Sequence, residues 1–455
     1  MVRLEEFWAM RKFGMIVPIA LGIGISVFFP VSAQIHNIKL IDQADEAGPA
    51  MSPTLAINHK DPSNLAVGVA SNLTLYTHDG GKTWTKSKME ASRGNYGDQA
   101  LVSDGRGDFH FLYASGPAAG DNASSRDRIA SRTSSDGGSS WGDETFFGNK
   151  PLYDQVRPRL TVQLRGSLYV TWTQFNHDSK SDTACHASIR LSMSSSDGRK
   201  WSEPVQINQT PGDCLDDAQA MQAAAPAINP EGKLFVTWSN RGVIYLDRSY
   251  DGGRTWLGND LAIGRYPGGG WIAIPGIQRC YTVPVLAVDN SLSYFRGSLY
   301  LVWADQSKGE NDTDIWFMRS TNRGDLWSQP RRVNMDGIGK HQFLPSIAVD
   351  ETTGIMYIAY YDRRAYDDLR TDVYLAYSMD GGVKFTEINI SESPFVPVAE
   401  KPFADHIAIA AFKGVIAIAW TRMDKGVASV WTSLLKQGDL IKKEDVPKLQ
   451  QLRRR

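Results

Sequence analysis

Asp98, Arg157, Tyr281, His341 and Asp405 each stand just ahead of a short apolar run, and Asp305, Asp362 and Arg363 each follow one. Read as strands, those runs put all eight side chains at strand ends, where they leave the sheet and become free to do chemistry. Arg157 and Arg363 carry the planar donor fork that grips a carboxylate, and Tyr281 offers a ring for stacking. Asp305 and Asp362 are the kind of carboxylate pair that cleaves a glycosidic bond when suitably spaced. Alternatively, His341 and Tyr281 would serve as base and acid in a polysaccharide lyase. Asp98 and Asp405 complete the substrate-binding candidates, so the mixture suits an anionic sugar.

Two acidic groups have the oxygen ligands that calcium takes: Asp213, Asp216 and Asp217, and then Glu310, Asn311, Asp312 and Asp314. Neither has EF-hand spacing, and no cofactor is expected. Cys185 and Cys214 are close enough to staple neighbouring loops by a disulfide, which leaves Cys280 over.

The elements that must position these residues come from a repeat. Ser/Thr-x-Asp-Gly-Gly-x-x-Trp/Phe occurs around Asp79, Asp136, Asp251 and Asp380, with degenerate copies at Asp197 and Asn322. Asp or Asn accepts hydrogen bonds from the backbone of its own turn. The glycines take conformations that side chains oppose, and the aromatic is expected to plug the space between the two strands that the turn joins. These carboxylates are therefore structural. Strand-like runs precede the turns, among them Leu168–Trp172, Leu234–Trp238, Leu299–Trp303, Met356–Tyr360 and Ile416–Trp420. Four strands per unit, repeated along the chain, predict an all-β propeller of four-stranded antiparallel blades.

Seven blades are expected, with six as second choice. The seventh set, Ile407–Ala411, Ile416–Trp420 and Val427–Leu434, has no box and no fourth strand, whereas Ile35–Asp42 is a strand without a blade. Pairing the two ends closes the ring and hides two edges.

The chain has 455 residues, 42% hydrophobic and 22% charged, with 41 Gly, 13 Trp and a net charge of −1. That balance gives no electrostatic case for nucleic acid or an anionic membrane. Residues 1–33 read as a signal peptide: Arg11 and Lys12, an apolar run, then Val31-Ser32-Ala33, with Met10 a plausible true start and an uncleaved anchor the alternative. The remaining divisions are one propeller, 34–435, and a charged tail, 436–455. A secreted, periplasmic or cell-surface monomer is expected.

The repeated phrase resembles the Asp-box, or BNR, repeat of the sialidase superfamily, over roughly Met51 to Leu434. That resemblance implies a propeller that binds or processes glycans or glycoproteins on its loop-rich face, as a sialidase-like glycoside hydrolase. Here Met51-Ser52-Pro53 stands where that superfamily's early Arg-x-Pro is expected. Non-catalytic Asp-box propellers also exist, so an extracytoplasmic protein-interaction platform is the second reading.

Overall fold

The computed structural model describes residues 35–42, 52–70, 72–117, 126–163, 166–176, 186–195, 197–212, 220–265 and 270–446. The signal segment, Cys185, Cys214, Asp213, Asp216, Asp217 and the end of the tail lie outside the described residues.

Seven antiparallel sheets form the blades, each built on four strands that run in sequence order from the axis outward, except that the outer strand of the seventh comes from the other end of the propeller. Their first strands are Thr54–Ile57, Ala100–Ser103, Tyr153–Val162, Gln222–Ile228, Val285–Val288, Gln342–Val349 and Ala408–Phe412. Blade 2 also carries a two-residue strand, Gly94–Asn95. As the unpaired ends required, Asn37–Asp42 is the outer strand of blade 7: Asn37 pairs with Ser433 and Asp42 with Ser429. The side chain of Asn37 fastens this strand to blade 6, donating to the Ile390 carbonyl at 2.8 Å and accepting from the Glu392 N–H at 2.9 Å. No helix among the described residues is long and apolar enough to cross a membrane.

In blades 2 to 7 the second strand places a large aromatic at an equivalent depth, whereas that of blade 1, Leu65–Ala70, carries none. Trp172, Trp238, Trp303, Trp420, Tyr113 and Tyr360 are all fully buried, filling the seams between blades. Two of the indoles find acceptors inside: Trp172 donates to Gln155 Oε1 at 2.6 Å and Trp303 to Asp305 Oδ2 at 2.8 Å.

The box turns close as their residue types require. Asp79 Oδ1 accepts from the Thr83 N–H at 3.0 Å and from Thr77 Oγ1 at 2.8 Å, while Oδ2 accepts from Thr83 Oγ1 at 2.7 Å. Asp136, Asp251, Asp380 and Asn322 repeat the pattern, and in the short copy Asp197 accepts from the Arg199 N–H and pairs with its guanidinium.

The aromatic differs from expectation. It reaches across the seam to the preceding blade instead of plugging its own hairpin. Trp141 donates to Thr74 Oγ1 of blade 1 at 3.0 Å, and Trp201 stacks on Phe147 of blade 2 with centroids 4.3 Å apart. Twisted sheets packed around an axis leave their widest gap between neighbouring blades near the rim, so that is where a large ring is needed. The second box glycine allows the approach: at Gly382 (φ +84°) a Cβ would lie 2.3 Å from Phe317 of blade 5.

Beyond the last strand the tail forms a short helix, Gln437–Leu440, and buries Ile441 against blades 6 and 7. The first part of the charged tail is thus docked on the ring.

Candidate functional site at the loop-face mouth

Because the chain runs outward through successive antiparallel strands of each blade, the connections between blades and those from second to third strand share one face, and the boxes occupy the other. At the loop face the first strands end around the axis. Three of them are irregular there: the register shifts between Val156 and Arg159, between Gln222 and Ala225, and between Phe343 and Ser346. Asp98 and Arg157, both at φ +53°, and Leu344, at φ +51°, hold the left-handed conformation despite their side chains. Bulges and such strained residues re-aim side chains, and here they sit around one opening.

Asp98, Arg157, Tyr281 and Asp405, four of the eight predicted residues, come together at that opening, with Arg126, Arg159 and His406. Arg126 donates to Asp98 Oδ2 at 3.0 Å, and the Arg157 backbone N–H donates to the same oxygen at 3.2 Å. The guanidinium of Arg157 bonds Gln222 and lies 3.8 Å from the centroid of the Tyr281 ring. Arg159 borders a cavity of about 200 Å³ with Thr54, Gln99, Ser346 and His406. Among the described residues neither the Arg159 guanidinium nor the Asp405 carboxyl makes a hydrogen bond.

Electrostatics follow from this crowding. Burial, then repulsion from Arg157, holds Arg159 below its ordinary range. Burial raises Asp405, with Arg157 pulling the other way and Asp98 adding to the rise. His406 is pushed down to about 3, by burial first and Arg159 next, so it is neutral at physiological pH.

The other predicted residues stand elsewhere. Asp305 is buried, taking the Trp303 indole and the Ser307 N–H, at 2.9 Å, as donors. Asp362 is buried under Arg364 (2.7 Å), which also grips Glu387. Burial still raises Asp362 above the usual carboxylate range. Each carboxylate is therefore engaged within its own blade. His341 bonds Thr313 Oγ1 at 2.9 Å and is pushed down to about 4, mainly by burial. Among the described residues no contact joins it to Tyr281.

Arg363 does not reach the open mouth. A hairpin inserted between blades 4 and 5, Trp271–Ile274 and Ile277–Tyr281, covers it. Arg363 donates to the Pro275 carbonyl at 2.7 Å and to Thr371 Oγ1 at 3.0 Å, and its Nη2 is buried with no partner among the described residues. The hairpin forms because Ile272, Ile274, Ile277 and Cys280 bury one face of it against blade 6.

Of the second acidic group, Asp312 accepts from the Gly339 N–H at 3.0 Å, and Asp314 is held by Lys308 at 3.1 Å and Arg332 at 3.2 Å. Glu310 and Asn311 are exposed. Among the described residues no three His, Cys, Asp or Glu side chains converge as a metal site would require. Cys280 is buried, and burial pushes its thiol up.

Arg126, Arg159 and His406 were not among the predicted residues. The signals were local: Arg159 lies two positions beyond Arg157, and His406 follows Asp405.

No protein-family model and no curated protein sequence matches the chain. Solved structures do match. An α-L-arabinofuranosidase from Fusarium graminearum is 12% identical, with 89% of this chain and 99% of that chain covered at a TM-score of 0.50. A Hadza microbial sialidase is 15% identical, with 82% and 73% covered at 0.48. A Penicillium chrysogenum α-L-arabinanase is 12% identical, with 88% and 98% covered at 0.46. At these identities the likeness is one of fold alone, that of a β-propeller.

Proposed function

We propose that the loop-face mouth binds the acidic sugar of a glycan and that the protein processes that glycan outside the cytoplasm. The observation that carries this reading is Arg159, a guanidinium set in a cavity beside Arg157 with no hydrogen-bond partner among the described residues. Two neighbouring cations held at a protein opening call for an anion, and a planar carboxylate fits the fork geometry. Arg157 and Arg159 hold the carboxylate, Arg126 braces Asp98, and Tyr281 gives the sugar ring an aromatic flank. Asp405 is the proton donor. Its raised pKa keeps it protonated to higher pH than an ordinary aspartate, and it gives that proton to the leaving oxygen as the glycosidic C–O bond breaks. Water then adds at the anomeric carbon and gives up a proton to the Asp405 carboxylate, which restores the acid.

A glycan array bearing sialylated and uronic-acid sugars, probed with the purified protein, is the direct test. Specific binding that disappears in Arg159→Ala supports the reading, and release of the sugar by wild type but not by Asp405→Asn extends it to catalysis. Silence across the array removes the glycan reading and leaves the interaction platform.

A further inference from the structure

The inserted hairpin carries a feature that the mouth does not use. Trp271 pairs directly with Tyr281 across its two strands, so both rings leave the ribbon on the same side, about 5 Å apart at the backbone. Tyr281 lies over Arg157, whereas Trp271 lines a separate groove of about 500 Å³ with Pro275, Gln306, Glu310 and Asn311. Gln306 fixes the groove by donating to the Ala273 carbonyl at 3.0 Å and the Glu310 carbonyl at 2.8 Å. Among the described residues, the exposed side chains of Glu310 and Asn311 make no hydrogen bond. An aromatic wall facing a free carboxylate and a free amide is the equipment for one sugar ring: a hydrophobic face to stack on, and acceptors and donors for its hydroxyls.

We propose that this groove is a second sugar subsite that takes an uncharged sugar linked to the acidic one in the mouth. The inference rests on the anionic reading of the mouth and adds a selection rule to it. Charge changes sign between the two sites, from Arg157 and Arg159 at the mouth to Glu310 at the groove. An acidic unit is attracted to the first and repelled from the second. The preferred ligand is therefore an acidic sugar joined to a neutral one, not a run of acidic sugars.

Calorimetric titration of the purified protein tests this. The ligands are the methyl glycosides of a sialic acid and a uronic acid, the disaccharides joining each to galactose, and a diuronate. The mixed disaccharides are expected to bind about tenfold more tightly than the methyl glycosides, the size of one stacked aromatic contact. Trp271→Ala should remove that advantage while leaving methyl-glycoside affinity intact. Glu310→Lys, a change at an exposed loop position that leaves the hairpin fold alone, should weaken the mixed disaccharides and strengthen the diuronate. Equal affinity for methyl glycoside and mixed disaccharide, or a preference untouched by both variants, overturns the subsite while the mouth stands. Failure of wild type to bind any of these sugars overturns the mouth and the subsite together.

Discussion

Asp79 and Asp405 are both aspartates at strand ends, one on each face of the ring, and they are held in opposite ways. Asp79 takes hydrogen bonds from Thr77 and Thr83 of its own turn, and those bonds hold its carboxyl well below the usual range. Asp251 repeats the arrangement. Asp405 has no such donors among the described residues, lies among Arg126, Arg157 and Arg159, and is raised by burial. A carboxylate whose acceptors are filled by its own backbone is committed to structure. One left without donors among the described residues, beside a guanidinium such as Arg159 that also lacks a partner there, retains its capacity for a ligand. The faces differ in what their turns consume, since both have aspartates in abundance.

If the box face is purely structural, breaking it should cost stability and spare the mouth. The largest effect is expected for Gly382→Ala, which meets both a left-handed backbone and the Phe317 ring. A loss of about 3 kcal/mol or more in denaturant unfolding is expected, with acidic-glycan affinity unchanged in the folded fraction. Full stability in this variant would mean that the seams are looser than the packing implies.

The reverse experiment is Arg159→Ala. Removing charge-assisted bonds to a carboxylate should weaken acidic-glycan binding by roughly 10- to 100-fold. Stability should hold or rise, because repulsion from Arg157 is relieved. A loss of folding without a change in binding would exchange the roles of the two faces.

Between about pH 6.5 and 4, above the range in which the box carboxyls are affected, acid should act mainly through the loop face. His406 titrates near 3 in the folded protein against 6.5 ordinarily, and His341 near 4. Between those values the unfolded chain takes up a proton that the native state refuses. Stability is therefore flat above about pH 6.5 in this respect and falls as pH drops toward 3. Denaturant midpoints at stepped pH should show that slope, and Arg159→Ala should make it shallower, since Arg159 helps to hold His406 down.

The smallest effect is expected for Asp79→Asn. Asn322 already closes the box of blade 5 through one amide oxygen, taking Ser320 Oγ and the Leu326 N–H at 2.9 Å each. The change should leave melting temperature and glycan affinity close to wild type. A substantial drop would show that the second carboxylate oxygen, the one bonded by Thr83 Oγ1, matters more than the shared pattern suggests.

The sequence alone determined the seven blades, the box turns and the closure of the ring by Ile35–Asp42. Each of these is a local pattern repeated, or a strand left over by counting, so no long-range information was needed. It also read Asp98, Arg157, Tyr281 and Asp405 as strand starts, although Tyr281 proves to end a strand of the inserted hairpin, Ile277–Tyr281. Only the tertiary structure decided that the mouth gathers Arg126, Arg159 and His406 as well, because bulges and left-handed residues turn side chains in ways that strand alternation does not encode. The hairpin that covers Arg363 was equally hidden, since its apolar face has meaning only against blade 6. Burial within separate blades assigned Asp305 and Asp362 their partners. A sequence specifies which residues end strands, but a channel mouth is built from seven strands far apart in the chain, and packing decides which of those ends meet.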